Sequence, residues 1–100
     1  MTRVALDGGG WFDRDAATSW EEDYWWNGHN HCSRATGSQW DHERLYRTSR
    51  GRWVIKWSSQ WQGSRTSYRV IDAAGAAEWL IRNGHDVPAE LRGDTAEQEV

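Results

Sequence analysis

These 100 residues are the size of one small domain, and with a single cysteine they cannot form an internal disulfide bond, which excludes a disulfide-stapled architecture. Only 37% of the residues are hydrophobic and nine of these are tryptophan, so indole rings must supply much of the core. No stretch has the pattern of a signal peptide or a membrane span, and we expect a soluble, cytoplasmic protein with no membrane partner.

The net charge of −3 hides a segregation of charge along the chain. Residues 44–71 contain seven basic and no acidic residues, whereas both flanking segments are acidic. The basic residues could contact a nucleic acid or another acidic partner. Alternatively, Arg44, Arg47 and Arg69 pair with the acidic flanks, which the negative net charge favours.

The first 40 residues are predicted to contain an arm, a helix and a loop. Residues 3–6 are typical of a short strand or arm that ends at the three glycines 8–10. In "WFDRDAATSWEEDYWW", Asp13 can cap a helix and apolar residues recur at spacings of three and four, which predicts an N-terminal helix over residues 13–25. Residues 27–39 lack periodicity and predict a long ordered loop that could contain a short strand.

From Glu43 the hydrophobic period changes to two, which predicts an antiparallel meander of three strands, "ERLYRTS", "RWVIKWS" and "TSYRVI". The Arg50-Gly51 pair marks the first turn, where a positive φ would suit glycine. On the middle strand, residues 53, 57 and 61 share one face and are all tryptophan. We expect Trp53 and Trp57 in the core and Trp61 at its rim, because three exposed rings would form an unusually large open patch.

A second helix is predicted over residues 73–83, capped by Asp72 and ended by Asn83-Gly84. Its alanine-rich face is suited to packing closely over the tryptophan rings. The expected fold is therefore α+β, with a small antiparallel sheet of three or four strands packed on one face by the N-terminal and C-terminal helices. Residues 1–92 form the expected domain, and the acidic residues 93–100 predict a disordered tail.

Possible chemistry is concentrated in "HNHC" and nearby residues. His29, His31, Cys32 and His42 could form a tetrahedral zinc set, but their spacing matches no standard zinc motif. Cys32, a nearby histidine and Asp41 could be drawn as a catalytic triad, but the sequence around Cys32 matches no known nucleophile motif. We predict no metal and no cofactor, and favour a non-enzymatic protein over a metal-dependent enzyme.

The predicted function is a small interaction module that binds a macromolecular partner through a basic and aromatic hairpin. The partner is a protein or, as the alternative, a nucleic acid stacked on aromatic rings. An edge strand also leaves a homodimer open. The hairpin residues that we expect to contact the partner are Arg47, Arg50, Arg52, Lys56, Trp61, Gln62 and Arg65. Further candidates in the loop are His29, Asn30, His31 and Arg34.

The strings "HERLYRTSRGRWVIKWSSQWQGS" (42–64) and "AAEWLIRNGH" (76–85), with "ATGSQWDHERLY" (35–46) upstream, resemble a group of small uncharacterised bacterial proteins. The resemblance covers roughly two thirds of the chain and its motifs are specific. It implies no catalytic residue. It implies a small accessory module of the kind found in plasmid, phage or defence neighbourhoods.

Overall fold

The computed structural model describes residues 1–100, which form eight short strands and one α-helix. The strands are β1 (Arg3–Ala5), β2 (Trp11–Asp13), β3 (Thr18–Glu21), β4 (Tyr24–Trp26), β5 (His31–Ser33), β6 (Asp41–Arg47), β7 (Trp53–Ser59) and β8 (Ser67–Ile71). The helix is α1 (Ala73–Arg82). Short 3₁₀ helices at Arg14–Ala16, Ala89–Leu91 and Thr95–Glu97 complete the chain.

The central sheet has the strand order β3-β6-β7-β8 with antiparallel neighbours throughout, which confirms the predicted small α+β fold. β6 and β7 pair over seven residues, with Leu45 opposite Ile55. Their turn needs the expected glycine, since Gly51 has a φ of +79°. The β1–β2 and β4–β5 pairs form two separate two-stranded hairpins.

The helix α1 forms almost where the sequence predicts it. The Asp72 carboxylate accepts a hydrogen bond from the Gly75 N–H at 2.7 Å, and Gly84 follows the helix with a φ of +75°. Ala76 and Ala77 are fully buried and belong to the same core as Trp53, which is 6% exposed. Small helix residues therefore do let α1 lie close over the sheet.

The predicted N-terminal helix over residues 13–25 is wrong. These residues form part of β2, a single 3₁₀ turn, β3 and most of β4. Asp13 is a cap, but its carboxylate accepts from the Asp15 N–H at the start of the short 3₁₀ turn. β3 instead pairs with the free edge of β6, and the Trp20 ring packs against Trp53 at 5.5 Å between centroids. Sheet pairing and this aromatic contact outweigh a weak local helical pattern.

Both faces of the central sheet are covered, by different elements. α1 covers the face of Leu45 and Ile55, whereas the β1–β2 hairpin brings Phe12 against Tyr46 and Val54 on the other face. The expectation of two helices on one face is therefore corrected to one helix on one face and a hairpin opposite. The buried hydrophobic residues therefore form two cores, one of nine residues under α1 and one of three residues under the β1–β2 hairpin.

Trp57 is only half-buried and lies outside both cores, so its predicted core position is wrong. Its cross-strand neighbour is Glu43, whose carboxylate accepts the indole N–H of Trp79 from α1 at 3.1 Å. A polar contact between helix and sheet thus occupies the position next to Trp57. The apolar contact of α1 ends at the pair of Leu45 and Ile55, before Trp57 is reached.

Part of the segment 93–100, for which the sequence predicts disorder, lies against α1 in this structure. Ala96 of the last 3₁₀ helix packs on the main core, whereas residues 98–100 are exposed. The Asp94 carboxylate accepts from the Ala96 N–H and caps this turn.

Candidate functional site

The predicted contact residues of the hairpin lie in three separate places. Arg47, Arg50 and Arg52 surround the turn between β6 and β7, and Trp61, Gln62 and Arg65 follow the other end of β7. The seven residues of β7 separate these ends by about 20 Å at the usual rise of a strand. Lys56 lies mid-strand and lines a polar pocket. The seven residues therefore do not form one continuous surface.

The open end of the hairpin carries a pair of exposed indole rings. Trp61 is 60% exposed, as its predicted rim position requires, and Trp40 is 40% exposed. Their ring centroids lie 5.1 Å apart at an interplanar angle of 48°. Trp40 is not one of the predicted contact residues, because it is 21 positions away in the chain and only the β6–β7 pairing brings it here.

Hydrogen bonds order the backbone that carries the two rings. The Gln60 N–H donates to the Trp40 carbonyl at 3.0 Å, which extends the β6–β7 ladder by one step. The Trp61 N–H donates to Ser59 Oγ at 3.2 Å, and the Ser64 N–H donates to the Trp61 carbonyl at 3.2 Å. We call Trp40, Trp61, Gln62 and Arg65 the open-end surface.

The basic side chains of residues 44–71 divide into a paired and an unpaired group. Three of them form ion pairs with the acidic flanks, as expected: Arg44–Glu21 at 2.9 Å, Arg47–Glu90 at 2.7 Å and Arg69–Glu43 at 3.9 Å. The remaining four have no carboxylate within ion-pair distance: Arg50, Arg52, Lys56 and Arg65. The unpaired group is the part of the basic segment that is free to meet an anion.

The loop candidates lie in and beside the β4–β5 hairpin. The Asn27 side chain accepts hydrogen bonds from the N–H groups of His29 and Asn30, both at 2.8 Å, and so closes the turn. The His31 ring meets Trp26, which is 58% exposed, edge-on at 5.1 Å. The backbone of His29 and Asn30 and the ring of His31 therefore have local structural roles.

Arg34 is the fourth loop candidate and follows β5. Its guanidinium pairs with Asp23 at 3.2 Å and lies 5.7 Å from the centre of the Trp25 ring. Both partners come from the chain around β4, so Arg34 ties the two ends of this hairpin together.

The four side chains of the candidate zinc set are not brought together. Cys32 is buried beside the Asn27 amide at 3.2 Å, whereas His42 lies on β6 and contacts Glu22. No group of three His, Cys, Asp or Glu side chains has the arrangement needed to hold a metal ion.

A buried carboxylate forms a network that sequence analysis missed. Glu22 accepts three hydrogen bonds, from Ser33 Oγ at 2.5 Å, His42 Nδ1 at 2.6 Å and the Glu43 N–H at 2.8 Å. It thereby joins the end of β3 to β5 and β6. Because its partners are 11 to 21 positions away and their spacing fits no motif, no local signal in the sequence marks this group.

His42 lines a pocket of about 230 Å³ whose walls are almost entirely polar. The other walls include Tyr24, Arg44, Lys56 and Ser58. Burial and the neighbouring Glu22 raise the pKa of the Tyr24 phenol, so this ring stays neutral at physiological pH. His42 Nε2 is buried without a hydrogen-bond partner.

The helix α1 is too short to span a membrane, and it is the only α-helix of the chain. No protein-family model, no curated protein and no solved structure matches the chain.

Proposed function

We propose that the protein is an interaction module that binds a partner protein through the open-end surface. The observation that carries this proposal is the exposure of two adjacent indole rings, Trp40 at 40% and Trp61 at 60%. Tryptophan is enriched among the residues that dominate the binding energy of protein interfaces. The unpaired Arg65 and the Gln62 amide add polar groups at the edge, as in a typical interface.

The ordered backbone beneath this surface supports the same proposal. Both rings are attached to the end of a seven-residue antiparallel pair and their backbone groups are hydrogen-bonded. A surface that is already ordered loses little conformational entropy when it binds. We place this binding in the cytoplasm, where the buried thiol of Cys32 stays reduced.

Site-specific photo-crosslinking in the native host tests the proposal whatever the identity of the partner. A benzophenone amino acid replaces Gln62, which leaves both indole rings intact, and the control carries it at the exposed Arg92. We expect a defined crosslinked product from position 62 that is lost when Trp61→Ala is added. A product of twice the chain mass would identify a second copy as the partner.

The proposal is contradicted if position 62 gives no product beyond that of position 92. It is also contradicted if the product persists in the Trp40→Ala/Trp61→Ala double variant. Circular dichroism of each variant shows that the fold is retained, so that a lost product reports the surface itself.

Single-stranded nucleic acid is the second candidate partner, and the four unpaired basic side chains favour it. Phosphates would displace counterions at Arg50, Arg52, Lys56 and Arg65, while exposed indole rings stack on bases. Four phosphate contacts predict a slope of about −3 in log K against log salt concentration.

Fluorescence anisotropy with labelled DNA and RNA oligonucleotides tests this candidate. Arg50→Ala/Arg52→Ala should weaken binding and lower the salt slope, whereas Arg82→Ala, whose guanidinium pairs with Glu78 on α1, should not. Absence of binding at about 20 mM salt, where electrostatic attraction is strong, would remove this candidate.

A further inference from the structure

A groove on the sheet face opposite α1 has the features of a small-molecule site. It lies between the β1–β2 hairpin and the turn that joins β6 to β7, and has a volume of about 600 Å³. That volume falls within the range of roughly 300–1,000 Å³ that is usual for ligand sites. The groove is separate from the open-end surface, since it lies at the other end of β7.

The interior of the groove is apolar and partly uncovered. Val70 remains 43% exposed although it lies directly opposite the fully buried Val54. Trp11, which is 50% exposed, and Leu6 also line the groove. Apolar surface of this kind gains free energy when a ligand removes it from water.

Two consecutive glycines keep one wall of the groove open. Gly9 and Gly10 have φ values of +100° and +83°, a conformation that other residues rarely adopt. A Cβ atom at either position would meet no heavy atom within 4 Å. The wall therefore presents backbone without side chains to whatever enters.

One rim of the groove is positively charged. Arg50 and Arg52 line it, are exposed, and form no ion pair. Their turn is fixed, because the Thr48 N–H donates to the Arg52 carbonyl at 2.8 Å and the Arg52 N–H donates to Thr48 Oγ1 at 3.1 Å. An anionic group at this rim would meet two guanidinium groups that have no competing partner.

One carboxylate, that of Asp13, also lines the groove. It is already engaged, because its Oδ1 accepts the Thr2 N–H at 3.1 Å and the Asp15 N–H at 3.0 Å. The two arginines outnumber it, so the net charge of the lining side chains favours an anion.

We infer that this groove binds a small amphipathic carboxylate, with its alkyl chain on Leu6 and Val70 and its carboxylate at Arg50 and Arg52. A stacked nucleotide fits less well. The Arg3 guanidinium already lies over one face of the Trp11 ring, at 4.5 Å from its centre, which leaves a base only the other face. The apolar side chains of the interior also offer no hydrogen bonds to a base edge. This inference is independent of the proposed protein binding at the open-end surface, but it uses the same Arg50 and Arg52 as the nucleic-acid candidate.

Titration with octanoate and with 1-octanol, followed by ¹H–¹⁵N NMR, tests the inference. Octanoate should bind saturably with a Kd below about 1 mM and shift the resonances of Gly10 and of the Trp11 indole N–H. Only the carboxylate of octanoate can pair with the guanidinium groups. Arg50→Ala/Arg52→Ala should therefore weaken the binding of octanoate by about tenfold and leave the binding of octanol unchanged.

Val70→Glu and Ile81→Glu form a matched pair of variants. Both replace an aliphatic residue of similar exposure, 43% and 47%, but only Val70 lines the groove. Val70→Glu should abolish octanoate binding, and Ile81→Glu, on α1, should leave it intact. Thermal unfolding of each variant confirms that the fold persists.

Three results would overturn the inference. The first is the absence of saturable octanoate binding to the wild-type chain. The second is binding that survives Val70→Glu or does not respond to loss of the two arginines. The third is a mononucleotide that shifts the same resonances at lower concentration than octanoate.

Discussion

Trp53 and Trp61 belong to the same run of tryptophans spaced four residues apart, but their surroundings differ. Their substitution should therefore have different effects on stability. Trp53 is 6% exposed and packs against Trp20, whereas Trp61 is 60% exposed and contacts only the rim partner Trp40 among aromatic rings. Trp53→Ala should lower the free energy of unfolding by about 3–5 kcal/mol because it leaves a cavity. Trp61→Ala should lower it by at most about 1.5 kcal/mol, the usual value of an aromatic pair.

Urea unfolding of the two variants under identical conditions measures this difference. Equal losses would show that the rings are equivalent and that Trp61 belongs to the core. A small loss for Trp61→Ala is also what makes this variant usable as a probe of binding.

Glu43 provides a prediction about pH. Burial raises the pKa of this carboxyl above its usual 4.5, although the Trp79 indole N–H and Arg69 act in the opposite direction. The folded state therefore holds the proton more tightly than the unfolded chain does. The stability from this group is present below pH 4.5 and is lost as the pH rises through the raised pKa. Glu43→Gln keeps an acceptor for Trp79 and should remove this loss.

Urea unfolding of wild type and Glu43→Gln over a pH series between about 2 and 7 tests the sign. Asp13→Asn serves as the control, because the pH dependence of stability expected from Asp13 has the opposite sign. The Thr2 N–H lowers the pKa of Asp13 below 3.8, so its contribution is present above that pH and lost on acidification. A wild-type stability that rises relative to Glu43→Gln with increasing pH would contradict the assignment.

Among the secondary-structure elements, the β6–β7 turn depends on one backbone conformation. Gly51 has a φ of +79°, and its N–H donates to the Thr48 carbonyl at 2.9 Å. Gly51→Ala should therefore lower the free energy of unfolding by about 1–2 kcal/mol, the cost of a left-handed conformation with a Cβ. Gly8→Ala is the control, since Gly8 has no positive φ and a Cβ added there would meet no heavy atom.

Chemical denaturation measures both glycine variants. If Gly51→Ala were as stable as wild type, the turn would have to accept another conformation. The position of Arg50 at the groove would then no longer be defined by the backbone.

The elements that the sequence predicts well are those with strong local signals. The helix α1 has a cap at each end, and the β6–β7–β8 meander has an alternating pattern with a glycine turn. The N-terminal strands lack such signals, since β1 to β5 contain only three or four residues each. Their conformation depends on pairing with distant segments, which a local pattern does not encode.

The candidate sites also divide into features that have a local signal in the sequence and features that have none. The exposure of Trp61 follows from its position near a predicted turn. Its partner Trp40, the Glu22 network and the groove beside Trp11 arise from contacts between segments far apart in the sequence. Spacing along the chain could not have identified them.

At the scale of the whole molecule, one sheet supports two hydrophobic cores. Val54 and Ile55 are neighbours on β7, yet Val54 faces the core that contains Phe12 and Ile55 faces the core under α1. Because both cores share these strands, they should unfold together. Phe12→Ala, which removes the main residue of the smaller core, should lower the stability of the entire molecule by about 3–5 kcal/mol.

Thermal unfolding followed by far- and near-ultraviolet circular dichroism tests this coupling. We expect one transition in both signals for wild type and for Phe12→Ala, shifted to lower temperature in the variant. Two separate transitions in Phe12→Ala would show that the β1–β2 side melts independently of the helix side.

The buried position of Cys32 allows local opening of the structure to be measured by thiol labelling. The thiol is 5% exposed within the β4–β5 hairpin, which belongs to a sheet separate from the central one. A thiol-specific reagent can reach it when that hairpin detaches or when the whole chain unfolds, so labelling faster than complete unfolding would measure a partial opening. Because no second cysteine competes for the reagent, one rate constant would rank the stability of this hairpin against that of the central sheet.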